Sequence, residues 1–222
     1  MAEVYGVKPK IFTKEWWPYF WEYYKWHTIA VLFVALLTGM TIYQSKTATK
    51  YDLKITYMGD KYLPDEVEEE FTSGLETVIS DIDGNGECNI FFSQLTISED
   101  AESAEITMTM RMKHDLELTN EQSGVYLYSK AELENQIARG YIDVTYFDTD
   151  VWLNEPVSDD AYIRSDNGKS YAVCLKDSAY LKSLNIDGSD LYLLIRNDIG
   201  AEYENETVRE NSIAVANLIV KK

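Results

Sequence analysis

The chain has 222 residues, with 38 Asp and Glu against 20 Lys and Arg, and a formal net charge of -18 at pH 7. A surplus of that sign and size is repelled by nucleic acid and by anionic membrane surfaces, so no nucleic-acid partner is expected. Two cysteines without a C-x-x-C spacing exclude a cysteine-based zinc or redox motif.

Four of the five tryptophans, Trp16, Trp17, Trp21 and Trp26, cluster near the start with Tyr19, Phe20, Tyr23 and Tyr24. An uncharged run, Thr28 to Tyr43, follows directly. Sixteen residues of helix reach only about 24 Å, short of a hydrocarbon core of about 30 Å. Extension back to Tyr23 gives about 31 Å, with the aromatic rings at headgroup level and Lys25 and His27 snorkelling outward. A cleaved secretory signal is the alternative, but cleavage after Ala48 would put Lys46 where a small residue is needed.

The expected division is a cytoplasmic tail with an aromatic interfacial segment over 1–26, a transmembrane helix over 27–45 or, with the extension, from near 23, a linker over 46–50, and an acidic domain over 51–222. Lysines are balanced across the span, so orientation rests on size and charge. The first fifty residues carry net +3 and the remainder net -21, which favours the N-terminus in the cytoplasm and the domain outside. Glu15, Pro18, Glu22 and Lys25 form one polar stripe on an otherwise aromatic helix that would lie along the interface. Such a collar seats the chain at the headgroups of the bilayer or docks it on a membrane protein partner.

In the domain, alternation in YDLKITY predicts a first strand with Leu53, Ile55 and Tyr57 on one face. Pro64 then opens a helix whose first turns are acidic and whose buried stripe is Val67, Phe71, Leu75, Val78, Ile79 and Ile82. CNIFFSQLTI reads as the second strand. Ser98 is the expected cap of a third element with Ala101, Ala104, Met108, Met112 and Leu116 at helical spacing. Over residues 105–113 the alternation of Ile106, Met108, Met110 and Met112 also fits a strand, and the cap favours helix. GVYLYS is the next strand, and Ser129 with Glu132 forms a capping box for a helix carrying Leu133 and Ile137 that Gly140 ends. Residues 142–170 read as irregular. YAVCL, a short helix from Ser178, LYLLIR and a helix through Ala214 and Leu218 complete an α/β sandwich on a mixed sheet.

This order of elements, with its D-x-D-G-N-G turn at Asp81 to Gly86 and VYLYSKAELENQIARGYI, resembles one lobe of extracellular solute-binding proteins. It also resembles small single-helix-anchored extracytoplasmic proteins of Gram-positive bacteria. The resemblance implies a binding or interaction module and carries over no ligand-binding residue.

Candidate chemistry is sparse. Asp81, Asp83, Asn85 and Gly86 match the first half of a calcium loop, but position 12 is Phe92 where a bidentate acid is required, so a polar turn is expected. Cys88 and Cys174 are compatible with one disulfide or with two free thiols. His27 lies at the membrane boundary and His114 in a charged helix end. Acid pairs such as Glu99 with Asp100, Asp148 with Asp150 and Asp159 with Asp160 are expected by chance in so acidic a domain. No G-x-S-x-G, H-E-x-x-H or P-loop stands in the sequence. The expected protein is a membrane-anchored extracytoplasmic module with no catalytic, cofactor or metal site, with an accessory subunit of a membrane complex, or an extracytoplasmic hydrolase, as the alternatives.

Overall fold

A computed structural model describes residues 10–47, 50–82, 84–98, 103–119, 123–140, 149–154, 157, 159–164, 170–196 and 206–222. The chain forms two units, Met1–Thr49 and Lys50–Lys222.

Among the described residues the first unit is a turn over 10–15 that leads into one helix, α1 (Trp16–Thr47). Its 32 residues extend about 48 Å. Pro18 sits in the first turn, where a missing N–H leaves no intrahelical bond unmade. The segment Trp16–Gln44 is long and apolar enough to cross a membrane. The hydroxyls of Thr38 and Thr41 donate to the carbonyls of Val34 and Leu37, each at 2.9 Å, so neither needs water. The aromatic segment is not a separate helix. It continues into the apolar run without a break at residues 26–27, since nothing after Pro18 interrupts the hydrogen-bond ladder.

The second unit is built on β1 (Leu53–Gly59), α2 (Asp65–Glu76), β2 (Ile90–Thr96), α3 (Ala104–Thr119), β3 (Val125–Ser129), α4 (Lys130–Ala138), β4 (Tyr162–Arg164), β5 (Ser170–Cys174), α5 (Ala179–Ser183), β6 (Leu191–Ile195) and α6 (Glu206–Val220). The sheet has six strands in the order β2-β1-β3-β6-β5-β4. The first three are mutually parallel, and β6, β5 and β4 follow, each antiparallel to the strand before it in that order. This is the expected α/β sandwich on a mixed sheet.

Alternation divides the strands between two cores. Leu53, Ile55, Val125, Leu127, Leu193 and Ile195 face α2, α5 and α6, joined by Phe71, Leu75, Leu181, Val215 and Ile219. Met58, Leu95, Tyr126, Tyr128 and Leu194 face α3 and α4, joined by Leu118 and Leu133.

Three local expectations change. Helix α2 stops at Glu76, so Val78 is exposed and only Ile79 beyond the end is buried. The backbone N–H and C=O of Ser98, the expected cap of α3, both bond the Thr107 hydroxyl, at 3.1 and 2.8 Å, and α3 is described from Ala104. Residues Glu99, Asp100 and Ala101 lie outside the described residues. The capping box at α4 is half formed, because Ser129 Oγ accepts from Glu132 N at 3.4 Å while the Glu132 carboxylate is taken by Arg111 and Gln136. Gly140, with φ of 74°, ends α4 as expected, its N–H bonding Ile137 O at 3.0 Å. The segment expected to be irregular also contains β4, an edge strand of three residues.

Helix α3 is a helix, but its apolar stripe at helical spacing faces outward. Ile106, Met108, Met112 and Leu116 are exposed, whereas Thr107, His114, Glu117 and Leu118 are buried. The sheet beneath explains the inversion, since β1 and β2 present Lys54, Thr56 and Ser93 there, and polar groups must meet polar groups. Glu117 accepts from Ser93 Oγ and Thr56 Oγ1, each at 3.0 Å, and Lys54 Nζ lies 3.2 Å from the same carboxylate.

Candidate binding crevice

The parallel strands set up the site. From β1 the chain leaves through α2 to one face of the sheet, and from β3 it leaves through α4 to the other. Connections that part to opposite faces from adjacent parallel strands open a crevice outside the strands' carboxyl ends. A cavity of about 470 Å³ occupies that place, lined by the end of β1, Ser129 at the end of β3, the start of α2 and the loop from Leu184 to Leu191. That volume falls within the range of small-molecule sites, about 300 to 1,000 Å³.

Several contacts pin the walls. The side chain of Gln94 brackets the backbone of Leu63, accepting from its N–H at 2.6 Å and donating to its C=O at 3.1 Å. The Tyr57 hydroxyl donates to Lys61 O at 2.8 Å, closing the turn after β1. Asp187 turns the opposite loop by accepting from Ser189 N at 3.0 Å. The ion pair Lys61 Nζ to Asp187 Oδ2, 3.2 Å, links the two loops, and Lys130 N donates to Asp190 O at 3.1 Å, tying the loop to the β3–α4 junction.

The lining is apolar on one side and acidic on the other. Leu63, Val67, Ile186 and Leu191 supply hydrocarbon, Tyr57 and Tyr62 supply rings, and four carboxylates stand against one ammonium. Burial pushes the Tyr57 phenol up to about 12, with the charges of Asp60 and Asp190 adding to it, so it stays protonated at neutral pH. Hydrogen bonds from the hydroxyl and N–H of Ser189, then from Lys61, hold Asp187 down to about 2.

The residues singled out from sequence lie elsewhere. Asp81 is spent on its own turn, accepting from Gly84 N and Gly86 N at 2.7 Å each, with both glycines at positive φ. Asn85 Oδ1 likewise accepts from Glu87 N at 2.7 Å. Asp83 lies outside the described residues, and among the described residues no three His, Cys, Asp or Glu side chains are grouped to hold a metal. Cys88 and Cys174 are free thiols. Cys88 donates to Ile79 O at 3.4 Å, and burial pushes its thiol up.

His114 is not in a charged, solvated helix end but fully buried under α3, its Nε2 2.6 Å from the Tyr128 hydroxyl. It does not line the crevice. Of the acid pairs, Glu99, Asp100 and Asp148 lie outside the described residues, and Asp160 pairs with Lys176 at 3.0 Å. None of the crevice carboxylates was singled out beforehand, because their significance comes from strand order, which no local motif encodes.

Comparison with known proteins found no matching family model, no similar curated protein and no similar solved structure.

Proposed function

We propose that the chain is a single-pass membrane protein, N-terminus in the cytoplasm, whose acidic extracytoplasmic domain binds a small molecule in the crevice between the β1 and β3 carboxyl ends. The observation that carries the binding role is the cavity of about 470 Å³ at the point where the connections diverge. Its lining favours recognition over chemistry. Tyr57 is kept protonated, and Ser129 Oγ is engaged as the cap of α4. This role agrees with the resemblance to one lobe of solute-binding proteins and to small anchored proteins of Gram-positive bacteria. The anchor rests on Trp16–Gln44, and the orientation on the short basic tail against the large acidic domain.

An accessory subunit of a membrane complex is the second reading, favoured by the collar. Trp16, Phe20 and Tyr24 stack on one another along the helix, whereas Trp17, Trp21 and Trp26 project outward at 56, 64 and 72% exposure. Outward indoles serve headgroups or a partner helix. Replacement of Trp21 by Ala separates the two, because a partner lost from correctly inserted protein moves the function into the membrane.

Fractionation tests the anchor. The protein is expected to stay with membranes through a carbonate wash, and protease added to intact protoplasts is expected to remove the domain beyond Lys50 while sparing the tail. Release by carbonate excludes the span, and protection of the domain reverses the orientation.

A further inference from the structure

The crevice has a chemical preference as well as a size. Strand register fixes where its carboxylates stand. Met58, Tyr128 and Tyr192 share one row across β1, β3 and β6. Asp60 and Asp190 each lie two residues further toward the carboxyl edge, one strand to either side of β3. Adjacent strands are about 4.8 Å apart, so the two acids leave the sheet at the same level about 10 Å from each other. Both carboxylate charges act on the Tyr57 phenol. Neither carboxylate is held by an ion pair or side-chain hydrogen bond among the described residues.

The only ammonium on the lining among the described residues, Lys61, is already matched by Asp187. Asp60, Asp190 and Glu70 therefore face the cavity without a counter-charge. The positive end of α2 also opens toward it at Pro64 and Val67, but Asp65, Glu66 and Glu68 occupy that first turn and offset the dipole. An anion entering the crevice would meet three carboxylates and, among the described lining residues, no available cation. A cation would replace its water with carboxylate oxygens while its body covered Leu63, Val67 and Leu191.

We infer that the crevice selects a small molecule carrying an ammonium or guanidinium group on an apolar or aromatic body. Asp60 and Asp190 receive the cation, the Leu63–Val67–Leu191 wall receives the body, and the exposed Tyr62 ring offers a further face to the charge. The cavity volume suits a single small molecule of this kind. The inference rests on the crevice being the binding site, and three probes with one indole body and different heads test both steps separately.

The full chain in detergent micelles is titrated calorimetrically with tryptamine, tryptophol and indole-3-acetate at low salt. Tryptamine is expected to bind about tenfold tighter than tryptophol, and indole-3-acetate to give no heat. Asp60→Asn and Asp190→Asn are each expected to weaken tryptamine about fivefold, while tryptophol is unchanged. Urea midpoints confirm that the variants are folded. Equal binding of tryptophol or indole-3-acetate, or no loss in both Asn variants, overturns the charge selectivity. If that indole binding is abolished by Val67→Trp, which fills the cavity, the crevice remains the binding site. If no probe binds, or binding survives Val67→Trp, the crevice itself falls with the selectivity.

Discussion

Glu117 shows how single residues hold this fold together. It is 4% exposed, and its two oxygens take Ser93, Thr56 and Lys54, with Lys113 at 3.8 Å. Glu117→Ala would take its carboxylate partner from the largely buried Lys54 ammonium and its acceptor from the Ser93 hydroxyl. A cost of about 2 to 3 kcal/mol is expected, reduced from that of a fully dry pair because Lys54 retains some water. Urea denaturation measures it. Glu117→Gln, which keeps an acceptor, should cost less. His114 carries the second residue-scale consequence. Burial lowers its pKa against the opposing charges of Asp115, Glu117 and Glu132, so the native state holds it neutral. The unfolded state binds the proton more readily, so this contribution is complete above about pH 6.5 and is lost as pH falls toward the depressed folded value. Stability is expected to decline below that pH, and His114→Asn to flatten the decline. An unchanged pH profile in that variant would show that other groups govern it.

Among the elements, α3 is where sequence patterning and tertiary structure part. Met108, Met112 and Leu116 recur every four residues, the usual mark of a buried stripe, yet the sheet face below is lined by Lys54, Thr56 and Ser93 and selects the polar side of the helix. Helix type was legible from the helical spacing of Ala104, Met108, Met112 and Leu116, but facing was not, since it depends on a sheet surface assembled from distant strands. Met112→Lys is therefore expected to change stability by less than about 0.5 kcal/mol, as for an exposed site. A loss of about 2 kcal/mol or more would place that face inside. The capping signals fared better where their geometry is local. Gly140 ends α4 as expected, and Ser129 accepts from Glu132 N. At Ser98 the expected cap falls on residues 99–102, outside the described residues, and its backbone meets Thr107, nine residues on.

For the whole molecule, composition and local hydropathy disclosed the layout, namely an apolar helix followed by an acidic α/β unit. The candidate site was hidden, because Asp60 and Asp190 are 130 residues apart and become neighbours only through the order β1-β3-β6. Conversely, the calcium-like turn at Asp81 was conspicuous in sequence and is satisfied by its own backbone. The claim that matters most is that the crevice binds small molecules. Methyl NMR of the full chain in micelles, labelled at Ile, Leu and Val and titrated with neutral and cationic aromatic fragments, tests it most directly. Saturable shifts confined to Leu63, Val67, Ile186 and Leu191 are the predicted result, while shifts centred on Ile106 and Leu116 of α3, or none in any methyl, would contradict it.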